Sequence, residues 1–177
     1  MMFRGFILFI SSLLSFCESQ HSTGRIVPFE GRFEDKIHTD PSIFKVDSLV
    51  DGDTFWVLDS KGERIKIRLI GVDAPEVKNV FRKKKHPFGA VSKGYVDSLL
   101  LSNRFVRLTF DVDSLDQYGR TLGYAYLNDG TFLNEHLIRQ GYATLMTISP
   151  NIQYEEMFYE AQVYARENKL GIWKEED

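Results

Sequence analysis

The chain has 177 residues, enough for one ordinary domain with its own core and a short appendage. Its 43% hydrophobic and 27% charged content is that of a globular protein rather than a disordered or fibrous one. A net charge of −3 argues against a protein that coats nucleic acid without specificity.

Residues 1–19 differ from the rest. A single positive charge at Arg4 precedes the apolar run "FILFISSLLSF", which is too short to span a bilayer as a helix, and a polar stretch follows. That order predicts a secretory signal peptide, with Cys17 and Ser19 as small residues near a cleavage point after Ser19. Two alternatives stand beside it: an uncleaved membrane anchor, and a lipid attached at Cys17, for which Phe16 is bulky. Because Cys17 is the sole cysteine, the mature domain has no internal disulfide, and packing and any bound ion must hold it together. Residues 20–42 are polar, hold Gly24, Pro28, Gly31 and Pro41, and show no sustained period, so they read as a flexible linker.

From Ile43 the pattern becomes strand-like. "IFKVDSLV" and "TFWVL" flank the turn "DGD". In "ERIKIRLIGVD", Ile65, Ile67 and Leu69 alternate with Lys66, Arg68 and Ile70. The basic run "FRKKKH", residues 81–86, follows close to Glu76. The segment "GAVSKGYVDSLLLSN" repeats Val91, Tyr95 and Leu99, and also Val96 and Leu100, at helical spacing. "RFVRLTFDVD" and "TLGYAYLNDGT" give a fourth and a fifth strand. "TFLNEHLIRQG" is a second helix, closed by Gly141. A third, over about 152–168, aligns Tyr154, Met157, Phe158, Ala161 and Ala165. Five strands and three helices predict an α+β protein built on a small closed barrel of the oligonucleotide/oligosaccharide-binding (OB) type, with the domain spanning 43–175.

Several charges sit where a strand that merely fills a core would have none. Asp51 and Asp53, two apart, share a face of extended chain around Gly52. Arg68 and Asp73 are five apart and of opposite parity, so they meet only if the strand bends or bulges near Gly71. Pro75 ends the ladder and leaves Glu76 at its mouth. Arg120 opens a strand straight after the turn Asp116-Gln117-Tyr118-Gly119. The four histidines, at 21, 38, 86 and 136, show no zinc spacing, and the calcium loop of helix-loop-helix proteins is absent. Two carboxylates with a backbone carbonyl suit a hard cation, and two arginines suit phosphate oxygens. A further carboxylate could take a proton from water. Such a set suits metal-assisted hydrolysis of a phosphodiester.

The stretches "VDGDT", "RLIGVDAPE", "DQYGR", "NEHLIRQG" and "KLGIW" occur in an order and spacing that resemble the staphylococcal nuclease (thermonuclease) family over about residues 44–174. The resemblance implies a five-stranded OB barrel with three helices and calcium-dependent cleavage of DNA and RNA. It implies calcium ligation by Asp53, Asp73 and the backbone carbonyl of Ala74, a position where the family often has threonine. Glu76 matches the general base, and Arg68 and Arg120 match the phosphate-binding arginines. Asp51 would be outer-shell support, while Asn134 and Glu135 would make structural bonds. The implied enzyme is a secreted monomer without an obligate protein partner that prefers single-stranded substrates. The alternative is a non-catalytic OB-fold module that binds nucleic acid or protein. Two departures stand out: Gln117 replaces a common lysine, and the tyrosine pair that usually follows "RQG" is missing, with Tyr142 placed too early.

Overall fold

The computed structural model describes residues 32–78 and 86–174. The predicted signal peptide, Cys17, most of the linker and the basic residues Arg82, Lys83, Lys84 and Lys85 lie outside the described residues. In chain order come α1 (Phe33–Lys36), β1 (Ile43–Asp51), β2 (Thr54–Leu58), β3 (Arg64–Leu69) and β4 (Gly71–Asp73). They are followed by α2 (Gly89–Asn103), β5 (Phe105–Thr109), β6 (Thr121–Tyr126), α3 (Leu133–Arg139), β7 (Thr144–Met146) and α4 (Glu155–Glu167). A short 3-10 turn, Gly171–Trp173, ends the described chain.

Five of these strands close a barrel in the order β1-β2-β3-β6-β5, with β5 returning to β1. All pairings are antiparallel except β3 with β6, which run parallel from Ile67↔Thr121 to Leu69↔Gly123. Closure removes the exposed edges that an open five-stranded sheet would present. The expected α+β OB-type barrel with three substantial helices is what the chain forms. Alternation works as anticipated: Phe55, Val57, Ile67, Leu69, Val106 and Leu108 are buried. The helices are less uniform than their sequence stripes suggested. Helix α2 buries Ser92, Val96 and Leu100 but leaves Val91 half exposed, and α4 buries Phe158, Ala161 and Ala165 while Met157 faces out. These two helices touch the barrel along a line narrower than their apolar arcs, whereas α3 buries its whole stripe of Leu133, Leu137 and Ile138.

Two elements lie outside the expected set. Helix α1 falls in the stretch read as linker, and there Phe33 is buried against Ile43, Phe105 and Ile37. The backbone N–H of Phe33 also donates to Asn128 Oδ1 at 3.2 Å. One apolar pair at i, i+4 is too short a signal to show as a period. Strand β7, three residues long, pairs with β4 through Gly71↔Met146, Val72↔Leu145 and Asp73↔Thr144.

The break between β3 and β4 falls where parity required it. Leu69 still pairs with β6, whereas Gly71 already pairs with β7. Gly71 has φ +75°, and a Cβ placed there would lie 2.5 Å from the Phe158 ring. Asn134, fully buried on α3, braces the same corner: its Nδ2 donates to the Ile70 carbonyl at 2.9 Å and its Oδ1 accepts the Ala125 N–H at 2.9 Å. Gly71→Ala combines a left-handed backbone with an overpacked core, so it should cost about 2–4 kcal/mol in urea unfolding. A loss below about 1 kcal/mol would show that the corner tolerates a side chain after all.

Candidate active site

The site grows out of the β1–β2 turn and the β3–β4 break. Gly52 lets the turn press against Ala74, since a Cβ there would sit 2.6 Å from the Ala74 Cβ and 2.9 Å from Ser92 Oγ. The approach is held from α2, where Lys93 Nζ donates to the Val50 carbonyl at 2.8 Å and Ser92 Oγ donates to the Tyr142 carbonyl at 2.6 Å. Asp53 thereby becomes buried, with 7% of its surface exposed. Its Oδ2 accepts the backbone N–H of Ala74 at 2.8 Å, and its Oδ1 accepts the Thr54 hydroxyl at 3.0 Å.

Arg68 arrives beside Asp53 because Thr54 and Arg68 are direct partners across β2 and β3. The guanidinium is as buried as Asp53 and bridges the two aspartates. Nη1 lies 3.1 Å from Asp53 Oδ2, and Nη2 lies 3.6 Å from Asp73 Oδ1. Nη1 also donates to the carbonyls of Leu69 (3.2 Å) and Val72 (2.6 Å), which turns the arginine into the brace of the bent strand. Asp73 is fixed from behind by β7, with its carbonyl accepting the Thr144 hydroxyl at 3.3 Å.

Burial above all, with the neighbouring Asp51, pushes the Asp53 carboxyl up to about 7, against the downward pull of Arg68 and the Ala74 N–H. Asp53 and Asp73 thus share one guanidinium, with Asp51 close by, and that excess of carboxylates over cations is what a bound cation would neutralise. Among the described residues no three His, Cys, Asp or Glu side chains converge, so a cation here would rest on two carboxylates, a backbone carbonyl and water. An all-oxygen donor set of this kind fits a hard divalent ion such as calcium. Asp51 stays at the margin, its Oδ1 accepting the Asp53 N–H at 3.3 Å.

Arg120 is presented by its own turn. Asp116 Oδ1 accepts the N–H groups of Tyr118 and Arg120, both at 2.9 Å, and Asp116 Oδ2 accepts Arg120 Nε at 2.6 Å. Burial would raise the Asp116 carboxyl, but the Arg120 and Tyr118 hydrogen bonds hold it below the usual range, so it stays charged beside its arginine. The two terminal nitrogens of Arg120 make no hydrogen bond among the described residues. Arg68 and Arg120 line one groove of about 300 Å³, together with Gln117, Met146, Ile148 and Pro150.

Glu76 is half-buried beyond Pro75, and its carbonyl accepts the His86 N–H at 2.9 Å. It does not line the arginine groove. Its backbone is set by the start of α2, where a Cβ on Gly89 would fall 2.3 Å from the Glu76 carbonyl oxygen. The structure therefore gathers Asp53, Arg68, Asp73 and Ala74 and shares one groove between Arg68 and Arg120. It places Glu76 by its backbone on the adjoining loop. Sequence reading missed Gly89 and treated Asp116 as a turn residue only, although an aspartate four before an arginine in a tight turn is a readable signal. Tyr142 stacks on Tyr95 at 3.7 Å between ring centres, so it belongs to α2 packing and not to the groove.

The fold is thus a closed five-stranded OB-type barrel that gathers Asp53, Arg68 and Asp73 at a strand break and sets Arg68 and Arg120 along one groove. Comparison with known sequences narrows the class. Residues 66–175 match the family model described as staphylococcal nuclease homologue, a span that includes Arg68, Asp73, Glu76 and Arg120. The thermonuclease of Staphylococcus hyicus is 36% identical over 130 residues, which cover 73% of this chain and 75% of that one. The thermonuclease of Staphylococcus intermedius is 35% identical over 131 residues, covering 74% and 76%. An uncharacterized endonuclease of Escherichia coli O157:H7 is 32% identical over 133 residues, covering 75% and 78%. The chain belongs to the staphylococcal nuclease family.

Proposed function

We propose that this protein is a secreted, calcium-dependent nuclease that hydrolyses phosphodiester bonds of DNA and RNA, preferring single strands and acting as a monomer. The observation that carries the reading is the Arg68 bridge between Asp53 and Asp73, with Arg68 lining the same groove as Arg120. Secretion is proposed from the basic start and short apolar run of residues 1–19, with lipid attachment at Cys17 as the alternative.

Asp53, Asp73 and the Ala74 carbonyl would hold the calcium, with Asp51 behind them. When bound, the ion would neutralise phosphate charge and favour ionisation of a nearby water. Arg68 keeps a fixed positive charge beside the phosphate. Glu76 accepts the proton of the attacking water as its oxygen bonds to phosphorus. Arg120, anchored through Nε, offers its terminal N–H groups to the oxygen whose bond to phosphorus breaks, and that oxygen then takes its proton from solvent.

Denatured DNA and RNA incubated with the mature protein and calcium should be cut, and faster than duplex. A chelator should abolish cleavage and readdition of calcium should restore it. Undiminished cutting in chelator would reject the metal-assisted route. Binding without cutting under any divalent ion would instead support a non-catalytic OB module.

A further inference from the structure

Arg68 is the last of a row. Arg64, Lys66 and Arg68 stand two apart on β3, on the face opposite Ile65, Ile67 and Leu69, and the row spans about 13 Å. Its outer members lie against Trp56, the direct partner of Lys66 on β2. Trp56 sits outside the barrel, because Phe55 and Val57 on either side of it are fully buried. The Arg64 guanidinium carbon is 4.2 Å from the Trp56 ring centre, and Lys66 Nζ is 5.5 Å from it.

With Tyr118, Gly119, Arg120 and Thr121, these residues line a second, open groove of about 650 Å³. Arg120 lines both grooves. Three cations and no carboxylate face the second groove. Arg64 is held by Asp47 at 2.7 Å, and Arg120 by Asp116. Lys66 has no carboxylate partner among the described residues. Tyr118 is 75% exposed. Each ring of the groove already carries a cation, Arg64 and Lys66 on Trp56 and Arg120 on Tyr118 at 5.5 Å from its centre. A groove of cations interleaved with aromatic rings suits a single polynucleotide strand, whose phosphates meet the cations while its bases stack on the rings. A duplex would keep its bases from those rings, and an acidic peptide would use the charges alone.

We propose that the Trp56–Tyr118 groove is an extended substrate track: a single strand whose scissile phosphate lies between Arg68 and Arg120 continues past Arg120 across Tyr118, Trp56 and Lys66. The proposal rests on the nuclease reading above and deepens it, since it makes a strand of several nucleotides the preferred substrate.

The test compares a thymidine dinucleotide with an octanucleotide of the same base. Trp56→Ala and, separately, Lys66→Gln should lower kcat/KM for the octamer by about tenfold and leave the dinucleotide unchanged. Equal losses on both substrates, or no loss on either, would overturn the track. A second readout needs no cleavage. With Trp173→Phe and Glu76→Gln introduced together, Trp56 is the remaining tryptophan. Its emission should be quenched by the octamer, and Lys66→Gln should flatten the salt dependence of that binding. Unchanged emission on octamer binding, or equal quenching by polyglutamate, would also overturn the proposal. If neither substrate is cut, the nuclease reading has failed, and the emission experiment alone decides the groove.

Discussion

Arg68→Met, unfolded without added divalent cation, should lose about 3–5 kcal/mol, and its cleavage rate should fall by about a thousandfold or more. Both effects come from one geometry. The side chain is 8% exposed, and its Nη1 serves Asp53 and the carbonyls of Leu69 and Val72 while Nη2 faces Asp73. Methionine fills the volume but leaves the buried Asp53 carboxylate without its counter-charge and the carbonyls of Leu69 and Val72 without the guanidinium donor. The converse variant should behave differently. Asp53→Asn should also abolish cleavage, yet it should leave the apoprotein as stable as the parent or more so, because the amide oxygen can still accept the Ala74 N–H.

The sign of that gain depends on pH. Asp53 has a folded pKa of about 7 against an ordinary value of 3.8, so the folded state holds the proton more tightly than the unfolded chain. The penalty from its charge is absent below 3.8, grows between 3.8 and about 7, and is complete above that. The advantage of Asp53→Asn should therefore be largest above pH 7 and fade as pH falls toward 4. In the double variant, removing both partners should cost less than Arg68→Met alone, since no uncompensated carboxylate remains. Melting temperatures of the four proteins at pH 5 and pH 8 decide the matter. An Arg68→Met loss under about 1 kcal/mol would mean that the bridge does not brace the bend.

How much of this was legible follows from the range of each signal. The barrel strands carry the alternation of Phe55 and Val57, or of Ile67 and Leu69, within a few residues, and the helices carry theirs within a few turns. The bend at Gly71 could be required in advance because parity is arithmetic: Arg68 and Asp73 cannot share a face of a regular strand. Contacts set by pairing were beyond reach. Nothing local says that β3 runs parallel to β6, or that Thr54 stands opposite Arg68 and so delivers the guanidinium to Asp53. The same holds for β7, whose pairing with β4 fixes Asp73, and for Met146, Ile148 and Pro150, which meet the arginines only after the chain has folded back. The motif order supplied candidate roles for Asp53, Arg68, Asp73, Glu76 and Arg120. It gave no hint that Gly52 and Gly89 are there to let backbone approach backbone or side chain, since that reason exists only in three dimensions.

The second large effect separates chemistry from position on the loop that carries Glu76. Glu76→Gln keeps size and hydrogen-bonding capacity but removes the group able to take a proton from water. Cleavage at saturating calcium should fall by about 10²–10⁴-fold, chiefly in kcat, with unfolding stability within about 1 kcal/mol of the parent. Gly89→Ala provides the contrast. Its Cβ would stand 2.3 Å from the Glu76 carbonyl oxygen and 2.7 Å from the carbonyl carbon, both backbone atoms with no rotamer to yield. The loop or the start of α2 must shift, so stability and kcat should fall together although the carboxylate is still present. That pairing tells a proton acceptor from a structural carboxylate. A structural Glu76 would make the Gln variant lose stability in step with activity, as Gly89→Ala does. Activity of Glu76→Gln within a few-fold of the parent would assign the base to another group. Loss of kcat in both variants, with loss of stability only in Gly89→Ala, is the outcome expected if the carboxylate of Glu76 takes the proton and α2 aims it.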